Sequence, residues 1–253
     1  MTRYPRAMAA VLLLILLLAW EWSVQAFHFS ALVLPAPSVV AAALWRALAT
    51  GYLWPHLLQT LLELALGLML GVALGFAGGV VLGEAGALRR VLMPYVVTSQ
   101  VIPKLALVPL FIVWFGFGTV PTVVITALIC FFPLLENTMM AIAQADSARL
   151  ELFRMLGATR WQTLWRLKVP AGLPAILAGL RVAVVLALVG AVVGEFVGAS
   201  QGLGALIIAA QGSMDTPLMF AVLVVITAIG LLLYEAALLL EQVLLRPYSQ
   251  PSD

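Results

Sequence analysis

The sequence predicts an all-α, polytopic membrane protein with six transmembrane helices and both termini on the cytoplasmic side. Three observations carry that reading. Hydrophobic residues make up 64% of the 253 residues and charged residues 9%, where a soluble domain carries about 25% charged residues. One water-soluble core of this size could not hide so much apolar surface. The apolar residues also fall into runs long enough to cross a hydrocarbon core about 30 Å thick at a rise of about 1.5 Å per residue. Threading those runs through a bilayer puts Arg3, Arg6, Arg89, Arg90, Arg149, Arg154, Arg160, Arg166, Lys168 and Arg246 on one face, ten of the thirteen basic residues. Cytoplasmic loops carry such an excess. A soluble enzyme and a nucleic-acid binder are excluded.

The first span follows Arg3 and Arg6 and runs from Ala7 to Trp20. Val24 and Ala26 would suit a signal-peptidase site, but Trp20 and Trp22 resemble an interfacial aromatic belt more than a small-residue cleavage region. Ser38 to Leu48 places Val39, Val40, Ala43, Leu44 and Ala47 at helical spacing, predicting a short amphipathic helix on the outer surface. The second span runs from about Thr60 to Gly83. A third, Met93 to Gly116, contains Pro94, Pro103 and Pro109 and is expected to be kinked or partly unwound. Pro121 to Ala143, Leu173 to Gly198 and Thr216 to Leu240 complete the six.

Gly67, Gly71, Gly75, Gly79 and Gly83 recur every four residues in span two, and Gly190, Gly194 and Gly198 do so in span five. Small-residue stripes let helix backbones approach closely in lipid. They serve either packing within one subunit or a dimer seam. The single Cys130 excludes a disulfide framework and a thiolate metal site, and His28 and His56 are too few and too far apart for a metal centre.

Charges within spans are costly and need partners or water. Glu136 and Arg181 lie at similar depth in spans four and five, predicting a structural ion pair. Lys104 follows Pro103 in the kinked span, where broken backbone can line a cavity; it is the candidate to meet an anionic solute, or else it pairs with a local carboxylate or carbonyl. Glu63 and Glu195, near the outer ends, read as interfacial anchors or gate partners of a translocation path.

The segment from Asp146 to Pro170 is the longest and most charged loop, and its pattern is helical. Arg149 to Leu156 can form a helix that stops at Gly157. Thr159 opens another, with Gln162 completing a capping box and Trp161, Leu164, Trp165 and Leu167 forming an apolar side. Pro170 marks the junction with span five. A plain connection needs few residues, so an ordered projection implies a docking partner; the simpler alternative is a basic loop lying on anionic lipid.

This loop resembles the cytoplasmic loop of permease subunits of bacterial ATP-binding cassette (ABC) importers, whose pattern is Glu-Ala-Ala-x3-Gly-x9-Ile-x-Leu-Pro. Glu151, Gly157, Leu167, Val169 and Pro170 keep its spacing, while Leu152 and Phe153 replace the two alanines. Ile102 to Leu110 followed by Trp114-Phe115-Gly116, Phe131-Phe132-Pro133 with Asn137-Thr138, Gly179-Leu180-Arg181, Glu195 and Gly202-Leu203-Gly204 are similar to the nitrate, sulfonate, taurine and bicarbonate branch of the type I, binding-protein-dependent importers. Members of that branch also handle pyrimidine vitamin precursors. Glu63 stands where sulfonate members typically show Arg, which argues against a sulfonate.

The resemblance implies a type I ABC importer permease fold in the bacterial cytoplasmic (inner) membrane. Its core would occupy 56–240, after an N-terminal helix and amphipathic segment at 1–55 and before a cytoplasmic tail at 241–253. It further implies a homodimer embedded in lipid, two cytoplasmic ATP-binding subunits carrying ATP and Mg, and an outer-face solute-binding protein. The Glu151–Lys168 loop would couple to the ATPase, with Glu151, Arg154, Gly157, Ala158, Thr159, Trp161 and Pro170 as its working residues. No Gly-rich Walker sequence occurs in the chain, so nucleotide and metal are expected on a separate subunit and the chain is not expected to be an enzyme. An intramembrane enzyme using Glu63, Glu136 or Glu195, or an ion channel, are the alternative functions.

Overall fold

The protein, described here by a computed structural model over residues 3–246, is built of helices, with no strand among the described residues. Helix α1 spans Arg3–Ala26, α2 Pro37–Ala49, α3 Leu53–Glu84, α4 Gly86–Val101, α5 Val108–Phe115, α6 Thr119–Ala143, α7 Ser147–Met155 and α8 Arg160–Thr163; α9 spans Val169–Gly198, α10 Leu203–Gly212 and α11 Thr216–Leu245. Five stretches are long and apolar enough to cross a membrane, and six if the bent pair formed by α4 and the 104–115 segment counts as one span. Residues 247–253 of the expected tail lie outside the described residues.

The expected kink in the third span is an 84° bend. It falls where Ile102, the residue before Pro103, takes the extended conformation (φ −66°, ψ 124°) that a following proline imposes by steric conflict. A short 3₁₀ turn, Lys104–Leu107, then leads into α5, with Pro109 in its first turn. Pro tolerates that place because the N–H it lacks would have no helical partner there.

Helices α3, α6 and α9 form the centre of the bundle, with α10 and α11 against its outer flank. The glycine stripes set this arrangement. A Cβ on Gly67, Gly71, Gly75, Gly79 or Gly83 would run into Thr126, Cys130, Phe131, Thr138 or Ile142 of α6, and one on Gly190 or Gly194 into Thr126 or Thr122 from the other side. Both stripes therefore pack within one chain, with α6 wedged between them. Cys130 sits fully buried at this contact.

Helix α1 stands apart, its apolar side chains from Met8 to Leu18 exposed as for a lipid-facing span. Glu21 fastens it to α2 by accepting hydrogen bonds from the Ser38 N–H (3.0 Å) and Oγ (2.8 Å), and Trp20 packs against Phe220 of α11. The amphipathic helix expected at Ser38–Leu48 is α2, with Val40, Ala43 and Ala47 buried. The loop expected between spans five and six contains instead the apolar helix α10.

The ion pair expected between Glu136 and Arg181 is not formed. Arg181 pairs with Glu241 at 3.2 Å, and Glu136 lies on an exposed part of α6. Helix α11 runs a turn beyond Leu240, where the sixth span was expected to end, and that turn brings Glu241 level with Arg181.

Candidate functional site

Two structured regions lie at opposite ends of α9. The first is the elbow that precedes it. Asp146 caps α7 by accepting from the Ala148 N–H at 3.0 Å. The helix ends at Gly157, whose φ of +69° is open to glycine without the clash a Cβ suffers there. The Ala158 N–H donates to the Phe153 carbonyl and the Gly157 N–H to the Arg154 carbonyl, both at 3.0 Å, the paired closure of a Schellman ending. One residue later the chain is capped again. The Thr159 N–H donates to Gln162 Oε1 (2.8 Å) and the Gln162 N–H to Thr159 Oγ1 (3.3 Å), the capping box read from the sequence.

Between α8 and α9 the backbone widens into a π-helical turn, Leu164–Lys168, a form often found at functional positions. Leu164 and Leu167 are buried on the bundle side, Trp165 packs near Phe76 of α3, and Lys168 Nζ meets Glu84 Oε1 at the end of α3 at 2.5 Å. Lys168 thus compensates the carboxylate at a helix C-terminus, where negative charge is unfavourable. The outer side of the elbow is different. Met155, Leu156 and Trp161 are 84%, 74% and 69% exposed, a set of large apolar groups held on a rigid turn. Glu151, Arg154 and Thr159 are exposed beside them, and Ala158 and Pro170 are half-buried.

The second region lies at the far end of α9. Gly202, Leu203 and Gly204, at the start of α10, each offer an N–H to a side chain from α3 or α9: Gly202 to His56 Nδ1 at 3.1 Å, Leu203 to Thr60 Oγ1 at 2.8 Å, and Gly204 to Glu195 Oε2 at 2.6 Å. These are the donors that a helix start leaves without internal partners. Gly202 has φ +128°, and a Cβ there would lie 2.2 Å from Glu195 Cδ, so this place needs glycine. Glu63 is buried beside Glu195 and accepts from Gln59 Nε2 at 2.7 Å, which also donates to Thr119 Oγ1 at 2.8 Å.

The residues expected to line a path therefore separate. Glu63 and Glu195 come together, a juxtaposition that sequence reasoning missed because they sit on different helices. Lys104 lies at the bend after α4 and donates to Gln100 Oε1 at 2.5 Å. No hydrogen bond or ion pair among the described residues joins it to either glutamate.

This bundle, with a capped elbow projecting from it, is that of a polytopic membrane protein. The chain belongs to the family described as the binding-protein-dependent transport system inner membrane component, whose pattern it matches over residues 67–246. It is a permease of the inner membrane and not an enzyme; ATP hydrolysis in such systems is done by a separate subunit. It is 41% identical to the riboflavin transport system permease protein RibX of Chloroflexus aurantiacus, over 96% of this chain and 91% of that protein. It is 35% identical to the formylaminopyrimidine transport permease protein ThiX of Halalkalibacterium halodurans, over 92% of each. Its fold is similar to a chain of the MetNI methionine ABC transporter, from a structure of inward-facing conformations, with a TM-score of 0.66 at 20% identity, covering 77% of this chain and 94% of that one.

Proposed function

We propose that two copies of this chain enclose the translocation path of an ATP-driven importer. Two cytoplasmic ATP-binding subunits, carrying ATP and Mg, grip the two Glu151–Lys168 elbows, and a solute-binding protein delivers the cargo at the opposite face. The single observation that supports this reading best is the elbow itself. It is closed by a Schellman ending and a capping box, and it exposes Met155, Leu156 and Trp161. A loop lying on lipid has no need of two successive caps. Apolar groups on a preformed turn suit docking into a protein groove, because little conformational freedom is lost on binding.

Closing of the ATPase dimer on ATP would push the elbow. Buried Leu164 and Leu167 and the Lys168–Glu84 link join the elbow to α9 and α3, so the push would reach the centre of the bundle. Gly157→Val forces a branched side chain into a left-handed backbone, costing about 1–2 kcal/mol. In the permease assembled with its ATP-binding subunit and solute-binding protein, solute-stimulated ATP hydrolysis should fall about five- to thirtyfold for this variant, the factor that 1–2 kcal/mol represents. Unchanged coupling would contradict the elbow's role.

The proposed cargo is a small organic solute with a pyrimidine ring. RibX and ThiX are named for riboflavin and formylaminopyrimidine, and both molecules contain that ring. The Lys104–Gln100 pair at the bend offers the donors and acceptors that ring carbonyls and ring nitrogens require, and Gln100 Nε2 is buried without a partner among the described residues. Lys104→Met should abolish uptake in proteoliposomes while leaving assembly intact. Normal uptake would remove Lys104 from the path.

A further inference from the structure

Glu63 and Glu195 are 0% and 1% exposed, and the two carboxyl groups are neighbours, with the Thr60 hydroxyl near Glu195 and the Thr119 and Thr122 hydroxyls near Glu63. The other oxygen of each is satisfied: Glu63 Oε1 accepts from Gln59, and Glu195 Oε2 from the Gly204 N–H. Glu63 Oε2 and Glu195 Oε1 are left, buried, with no hydrogen-bond partner among the described residues. Two ionised carboxylates accept hydrogen bonds and donate none. Set together away from water, they repel and leave two acceptors unmet, which is costly in a low-dielectric interior. A single proton resolves both defects.

We propose that Glu63 and Glu195 hold one proton between them, Glu63 as the acid donating from Oε2 to Oε1 of an ionised Glu195, and that this shared proton clasps α10 onto α3 and α9. The remaining negative charge then sits on Glu195, whose Oε2 faces the N-terminus of α10 at 2.6 Å, where the helix dipole favours an anion. His56 and Thr60 secure the flanking N–H groups of Gly202 and Leu203. The clasp closes the end of the bundle remote from the elbow and stands independently of the coupling and cargo readings above.

The test is infrared spectroscopy of the full chain in phospholipid, reading the C=O stretch of a protonated carboxyl group. The unmodified chain should show such a band. Glu63→Gln should remove it, because the amide N–H replaces the acid O–H as donor and leaves Glu195 ionised. Glu195→Gln should keep the band but shift it, with Glu63 then donating to an amide oxygen. A spectrum in this region identical to that of the Glu63→Gln/Glu195→Gln double variant would overturn the proposal, and so would a band that survives Glu63→Gln unchanged. Thermal stability gives a second reading. Glu63→Gln should keep the midpoint of the unmodified chain while Glu63→Ala lowers it; equal losses in both would show that no hydrogen bond at this place holds α10.

Discussion

Gly75 and Gly86 are both helical glycines, yet one has no room beside it and the other has nothing near. A Cβ on Gly75 would lie 2.6 Å from the Phe131 carbonyl oxygen and 3.2 Å from Leu134 Cβ, while at Gly86 nothing among the described residues lies within 4 Å. Gly75→Ala must push α3 and α6 apart, and overpacking of this kind costs about 1–3 kcal/mol. Gly86→Ala meets no such resistance and, at the first residue of α4, gains part of the helix-interior difference of about 1 kcal/mol. Thermal unfolding in detergent should therefore show a lower midpoint for the first variant and an equal or higher one for the second. Equal midpoints would contradict the close approach of α3 and α6. The four-residue period made the stripe legible in the sequence, but not the partner it meets, because a spacing on one helix says nothing about which neighbour lies opposite. The same limit explains Arg181. Depth along a helix can be counted from the chain, whereas the direction a side chain faces depends on packing. Glu136 had the right depth and an exposed position, and Glu241 had the contact.

Elements that carry their own punctuation were read well. Thr159 and Gln162 at capping-box spacing and Gly157 at a helix end predicted two short helices and a turn, and α7, α8 and Gly157 occupy those places. Pro103 predicted the broken third span because its ring acts on the preceding residue whatever the tertiary context. Helix α10 was missed for the opposite reason. It has ten residues, too few to span a bilayer, and its start is capped by His56, Thr60 and Glu195 from distant parts of the chain. No local signal announces such a cap. Where the cap is local, its loss should be felt locally: Thr159→Ala should cost about 1 kcal/mol and raise hydrogen exchange at Arg160 to Thr163 several-fold, with the central helices unaffected. Unchanged exchange would mean that the box does not hold α8.

At the scale of the whole molecule, composition and the placing of basic residues were enough for a membrane bundle, since no packing detail is needed to see that 64% hydrophobic residues exceed one aqueous core. In the proposed mechanism, the function of that bundle rests on α9. Its first turn receives the elbow through Leu164, Leu167 and Lys168, and its last turns hold Glu195 against the start of α10. A push at one end can reach the other along a single rigid helix. The central claim is that the elbow is gripped by an ATP-binding subunit, and the chain's own chemistry makes it directly testable. Cys130 is the single native cysteine and is fully buried, so a cysteine placed on the exposed side of the elbow can be addressed alone. In the assembled transporter, a short crosslinker with a thiol-reactive end on Trp161→Cys and a photoreactive end should join this chain to the ATP-binding subunit, and docking should protect the thiol from a water-soluble maleimide. Full labelling by the maleimide in the assembly, with no crosslinked ATP-binding subunit, would contradict the account.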